Sequence, residues 1–376
     1  MSKYLLNIKP TNLNLTNCFI PICTENAFAT YLDYIDVEYH YAFANATIFD
    51  FSKDFCDTGR IADGIFTGYD FMKQLKDTYD ISVYKKSFGF FKSYIKYIEN
   101  DLANNKPIIA HFDSYYIPWS TLYQERHTSH LIVITGLDTD AKTITILDPI
   151  DKPEPVEITY KEFKLGSHYC LDIIPPTPVK HISHAEFIKD IIQKPDTLIP
   201  SHIFDNLSEL GDMFTSEFNP DVEFRDCFNR QLMVEEKLVD DIRKLMQGIN
   251  MFTVWLTWLN GKLNNCDLDE HIEDFKSILS KWNIFINMLY KRCMTTWEMD
   301  FGKKASTFIK DISLMHKQSY ERLLDCLACE TSSTSHNIST NFTMSIPIDL
   351  TPYCNNKGFA QGDLITIPCD LTGAGE

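Results

Sequence analysis

Three residues of this chain have the types and spacing for nucleophilic catalysis: a cysteine at the start of a helix, and a histidine and an aspartate in two successive strand segments. His130 to Thr135 and Thr143 to Leu147 are β-rich and are separated by Gly136 to Lys142, a hairpin signal. Directly opposed residues of a regular antiparallel hairpin have a constant index sum, and a turn centred on Thr139 sets it at 278. The expected pairs are Ile134 with Ile144, Ile132 with Ile146 and His130 with Asp148, all on one face because strand side chains alternate. An imidazole and a carboxylate would then have Cβ atoms about 4.5–5.5 Å apart. That arrangement fixes a histidine's tautomer and raises its basicity. Such a pair also forms for structure alone, so it needs a nucleophile to give it a task.

Cys23 follows Pro21 and enters the segment Thr24 to Ile35, where Ala27, Phe28, Tyr31, Leu32 and Ile35 fall on one helical face. The partial positive charge of the helix N-terminus would favour its thiolate. Cys18, five residues earlier in a loop, is the competing nucleophile without that support. His111, on the apolar run Ile108 to Phe112, is the competing base, although no carboxylate is spaced to it as Asp148 is to His130. Tyr115, Tyr116 and Trp119 lie on the loop between these strands, as candidates for an apolar wall beside the nucleophile. His127 is a candidate substrate contact, and packing is the alternative role for all four.

These residues need a scaffold, and the pattern predicts an α+β fold. Helices are expected at Gly68 to Thr78 and Phe88 to Asn104, and a further strand at Tyr169 to Ile174. Pro175 to Pro178 reads as a stiff linker. Beyond it the period is helical. Val234, Leu238, Ile242, Leu245, Ile249, Phe252, Leu256 and Leu259 mark one long helix, Ile272 to Cys293 a second and Lys304 to Cys329 a third, preceded by shorter ones near His184 to Gln193 and Ile203 to Met213. Long helices with short connections pack as an antiparallel bundle. Alternation at Phe342 to Ile348 and a run at Leu364 to Ile367 predict a β tail. The expected division is 1–175 for the chemistry, 180–330 for the helical domain and 331–376 for a β-rich tail docked on the body.

Composition narrows the function. The 376 residues hold 35 Lys plus Arg against 52 Asp plus Glu, a net charge of −17. An acidic chain lacks the basic stripe that nucleic-acid binding needs, and its field would draw in cationic small molecules. Eleven scattered cysteines read as reduced intracellular thiols, and Cys326-Leu-Ala-Cys329 is a CxxC without a second half, so no metal site is expected. The first ten residues do not read as a signal peptide, and the apolar stretch Met251 to Leu259 is flanked by charges. A cytoplasmic protein is the expectation, with no membrane partner.

Cys23-Thr-Glu-Asn-Ala-Phe-Ala29-Thr-Tyr-Leu32 resembles the opening of papain-like cysteine enzymes related to the bacteriocin-processing peptidases, and His130-Leu-Ile-Val-Ile-Thr-Gly136 with Ile146-Leu-Asp148-Pro149 is similar to their second signature. The resemblance implies a papain-like domain, with its N-terminal helix packed on an antiparallel sheet, and a Cys23, His130, Asp148 triad. It places Asn17 where those enzymes carry an oxyanion-donating glutamine. The Cys-Gly-Pro common in the peptidases is replaced by Cys23-Thr24-Glu25. The chain more closely resembles the butirosin-type acyltransferases and the closthioamide-type amide synthases, which the segment His111 to Trp119 and the later helical region also match. That implies transfer of an acyl group from a phosphopantetheinyl carrier-protein thioester, through a Cys23 acyl-enzyme, to an amine such as a diamine or aminoglycoside, with no further cofactor. The alternative is a peptidase or amidase with the same triad. Acidic carriers would need a basic patch, and Lys85, Lys86, Lys92 and Lys96, expected on the third helix, are the dense cluster.

Overall fold

The computed structural model describes residues 3–16, 18, 20, 22–53, 58–176, 181–224, 236–263, 267–294 and 300–333. Along the chain run β1 (Lys3–Leu5), α1 (Cys23–Tyr34), β2 (Asp50–Phe51), β3 (Ile65–Phe66), α2 (Phe71–Tyr79), β4 (Ser82–Ser87), α3 (Phe91–Ala103), β5 (Ile108–Asp113), β6 (Ser129–Asp138), β7 (Thr143–Asp148), β8 (Lys152–Thr159), α4 (Tyr160–Gly166) and β9 (Tyr169–Ile174). Helices follow: α5 (His184–Gln193), α6 (His202–Ser216), α7 (Pro220–Glu223), α8 (Lys237–Asn260), α9 (Asp269–Met294) and α10 (Phe301–Ser333). The fold is α+β, as expected. The predicted strands of the tail, beyond residue 333, lie outside the described residues.

The sheet has the order β4-β9-β5-β6-β7-β8, with neighbours antiparallel, and β1 pairs with the far end of β6. Helix α1 packs on β5 and β6. Ala27, Phe28, Ala29 and Leu32 have no exposed surface, and the two alanines let the helix approach the strands closely. One contiguous apolar core runs from Leu6 through the sheet to Leu327 in α10, so the helical region and the sheet share buried surface.

Two expectations are corrected here. Lys85 and Lys86 lie on β4, an edge strand, and only Lys92 and Lys96 are on the third helix, because the chain breaks at Phe88-Gly89-Phe90 before α3 begins. The hairpin register also differs. The pairs next to the turn are Asp138 with Thr143 and Leu137 with Ile144, and beyond Thr135 they are Ile134 with Ile146 and Val133 with Leu147. The index sum is therefore 281 near the turn and 280 past it. His130 is not directly opposite Asp148.

A β-bulge at Thr135 causes the change, and it decides what shares a face. An odd sum carried along the whole hairpin would put even-numbered β6 residues on the face opposite even-numbered β7 residues, separating His130 from Asp148. The extra residue at Thr135 restores an even sum, which returns both to one face in a diagonal relation. The bulge is held in place. The Thr135 carbonyl accepts from Leu6 N–H at 2.8 Å, just past β1, and the Thr135 hydroxyl donates to the Thr145 carbonyl at 3.4 Å. Gly136 is needed beside it, since a Cβ there would stand 2.8 Å from Thr145 Oγ1 and 2.9 Å from the Tyr4 carbonyl oxygen. Gly136→Ala is expected to cost about 1–3 kcal/mol through this overpacking, read as a lower urea midpoint. A midpoint unchanged from the parent would show that β1 yields and does not hold the bulge.

Candidate active site

Cys23 is the first residue of α1, half-buried, and the preceding Ile22 gives the helix no side-chain cap. Its first-turn amides thus carry the partial positive charge of the helix end. His130 stands near the start of β6, where the ladder to β7 has ended at Val133 and Leu147. Asp148 is the last residue of β7 and fully buried, with its side chain 0% and that of His130 11% exposed.

The structure brings these three together. His130 Nε2 lies 3.0 Å from Asp148 Oδ2, and His130 also hydrogen-bonds Cys23. With Nε2 engaged by the carboxylate, the other ring nitrogen, Nδ1, is left for the thiol. Burial alone would push the His130 pKa down, but Asp148 and Cys23 together hold it well above the usual histidine value. For Asp148, burial pushes upward and the bonds from His130 and Trp119 outweigh it, so its carboxylate stays ionised. Both neighbours favour the charged form of the His130 ring over the neutral one.

Asp148 has more partners than the sequence reading assigned it. Trp119 Nε1 donates to Oδ2 at 3.0 Å, and the backbone N–H groups of Ile150 and Asp151 donate to Oδ1 at 3.1 and 3.2 Å. Trp119, expected as part of an apolar wall, also orients the carboxylate. The two amides come from the turn after Asp148-Pro149, a dipeptide that favours such Asx turns and was the available signal. His130, Asp148 and Asp151 offer ligand atoms within 4.8 Å of one another, so a divalent ion fits by distance. It would have to compete with the donors that already occupy Asp148.

The other expected site residues fall elsewhere. Tyr115 stacks on His127 at 4.2 Å, Tyr116 meets both edge-on, and His127 Nδ1 lies 2.6 Å from Asp113 Oδ2. Phe112 pairs directly with His130, so alternation puts the Asp113 carboxylate on the opposite face of the sheet. Among the described residues these three make their hydrogen bonds and ring contacts with that cluster, not with Cys23 or His130. His111 stacks on Tyr169 at 4.6 Å, and its Nδ1 is buried with no partner; burial, with nearby His168, pushes its pKa down to about 4. It is a half-buried histidine whose surroundings favour the neutral ring. Cys18 is buried, and it is Cys23 that His130 engages. Asn17 lies outside the described residues. Cys326 is disulfide-bonded, which corrects the expectation of uniformly reduced cysteines.

The Trp119 bond has a measurable sign. Because the folded-state pKa of Asp148 is depressed, its contribution to stability is present above the unfolded carboxylate value of about 3.9 and is lost as pH falls through the folded one. Trp119→Phe removes one donor to a buried charge and is expected to cost about 1.5–3 kcal/mol at pH 7. The deficit should shrink in acid unfolding titrations as Asp148 is protonated. A deficit independent of pH would assign the loss to packing.

Among the described residues no helix is long and apolar enough to cross a membrane. No curated protein matches the chain. Residues 29–149 match the family model described as butirosin biosynthesis protein H, N-terminal, a stretch that includes His130 and Asp148 and begins six residues after Cys23. Over that stretch the chain is similar to butirosin biosynthesis protein H.

Proposed function

We propose that the protein is a papain-like acyltransferase that forms amide bonds, taking an acyl group from a carrier-protein thioester and passing it to an amine. The observation that carries this reading is the place of His130, which bonds Asp148 on one side and Cys23 on the other, both favouring its charged form. A thiol beside such an imidazole can pass its proton to the ring and attack as the thiolate of a thiolate–imidazolium pair.

The steps follow from these groups. Cys23 thiolate attacks the thioester carbonyl, and the oxyanion forms beside the uncapped N-terminus of α1, where the Cys23 N–H can donate to it. The carbon–sulfur bond to the carrier breaks, and His130 gives its proton to the departing thiolate. The incoming amine attacks the acyl-enzyme, and neutral His130 takes the amine's proton. The amide leaves, and Cys23 and His130 return to thiolate and imidazolium. Asp148, fixed by four donors, holds the ring through both proton transfers and stays ionised.

Charge supports the choice of acceptor and carrier. A chain at −17 attracts a diamine or an aminoglycoside-like polycation. The acidic carrier would dock on the basic cluster of β4 and α3, where Lys85, Lys92 and Lys96 are exposed. The exposed aromatic Phe90, between the two elements, supplies apolar contact.

Incubating the protein with an acyl thioester and a diamine, and weighing the products, tests the reading. Amide is expected, and free acid alone would replace the transferase by a hydrolase with the same residues. Cys23→Ala should abolish the acyl-enzyme mass shift, which Cys18→Ala should leave intact. His130→Ala is expected to lower turnover by about 10²–10⁴-fold.

A further inference from the structure

Glu25 lies two residues beyond Cys23, in the same first turn of α1, and is 2% exposed. Its Oε1 accepts from Gln247 Nε2 of α8 at 2.7 Å, the carboxylate also accepts from its own backbone N–H, and Oε2 is buried with no partner among the described residues. A carboxylate in the first turn normally stabilises a helix by opposing its dipole. Here the same partial charge is what the reaction would use at Cys23, so the two negative groups draw on one resource.

Helix α8 holds this end of α1 firmly. Gly248, next to Gln247, sits so close to residue 46 that a Cβ would lie 2.3 Å from the Ala46 carbonyl oxygen. Two residues on from Gly248, Asn250 donates to the Leu13 carbonyl at 2.8 Å and accepts from Leu15 N–H at 3.3 Å, while Leu13 N–H donates to Asn26 of α1 at 2.9 Å. Gln247 therefore meets Glu25 in a fixed place.

We propose that Glu25 is a positioning residue of the acyl transfer: its charge at the N-terminus of α1, set through Gln247 of α8, governs how well that helix end supports negative charge on Cys23 and on the oxyanion. The proposal rests on the acyl-transfer reading above. Burial pushes the Glu25 carboxyl up to about 7; its own N–H and Gln247 hold it lower than burial alone would, and Asp70 raises it further. The titratable groups facing it are Asp70, which caps α2, and Tyr69. Glu25 thus changes charge near neutrality. Protonated, it leaves the helix charge to Cys23; ionised, it opposes the thiolate and the oxyanion.

The test follows two rates in the full-length protein between pH 5.5 and 8.5: alkylation of Cys23 by iodoacetamide, read by mass spectrometry of its peptide, and amide formation from an N-acetylcysteamine thioester and a diamine. The ratio of Glu25→Gln to parent should be near one in acid and rise about five-fold at the alkaline end. Gln247→Leu keeps Glu25 in place and should move the parent's step to higher pH, which keeps the test open if Glu25→Gln folds poorly. Asp70→Asn should retain the step. A ratio constant across pH in both rates, or a step that vanishes with Asp70→Asn and survives in Glu25→Gln, overturns the proposal. Alkylation needs no acyl donor. A step in alkylation without any amide product would leave the control of Cys23 by Glu25 standing while sinking the acyl-transfer reading; amide formation with a constant ratio would do the reverse.

Discussion

The buried carboxylate of Asp148 is the constraint around which the candidate site is built. A charge with no exposed side-chain surface is tolerated only where its lone pairs are filled. Four donors fill them: the His130 ring, the Trp119 indole and two backbone amides of the following turn. Each donor belongs to a different part of the chain's problem. The amides fix the carboxylate relative to β7, the indole ties in the loop after β5, and the imidazole extends the charge network to Cys23 at the start of α1. Removing any one leaves a buried charge short of a partner, so the cost is felt as stability before it is felt as chemistry.

The bulge at Thr135 is what makes that network geometrically possible. A hairpin that kept its turn register would hold the same apolar residues in its ladder yet send His130 and Asp148 to opposite faces. β1 pairs with β6 across the irregularity, and the chain just after it captures the bulged carbonyl. The short N-terminal strand therefore does more than extend a sheet. It stabilises a local departure from regular pairing on which the meeting of imidazole and carboxylate depends.

Local pattern made much of this legible. Ser183, followed three residues later by Glu186, begins α5 where the period predicts, and the long helices α8 and α9 coincide with their apolar stripes. The placement of Cys23 at a helix start was readable for the same reason. What could not be read was register. A bulge adds one residue without altering the apolar character on either side of it, so the hairpin looked regular, and His130 was matched to Asp148 through a pairing that the molecule does not make. β4 was missed because an edge strand carrying Lys85 and Lys86 lacks the apolar alternation of a half-buried one. The sequence shows the indole of Trp119 only as apolar surface, because its N–H gains meaning from a carboxylate 3.0 Å away that folding brings to it.

The helical region enters the chemistry by way of packing. It shares one apolar core with the sheet, and specific polar bonds cross the same contact. Glu223 is completely buried and accepts from the backbone N–H groups of Ile61 and Ala62, Arg60 pairs with Glu236 at 3.1 Å, and Asn250 bonds the Leu13 backbone that in turn reaches Asn26 on α1. Buried polar bonds of this kind add little net free energy but are costly to break singly, so they favour one relative placement over many. A detachable domain would need few of them. Two such links reach α1, the Gln247–Glu25 bond and the relay from Asn250 through Leu13 to Asn26, so the placement of α8 bears on the helix that carries Cys23.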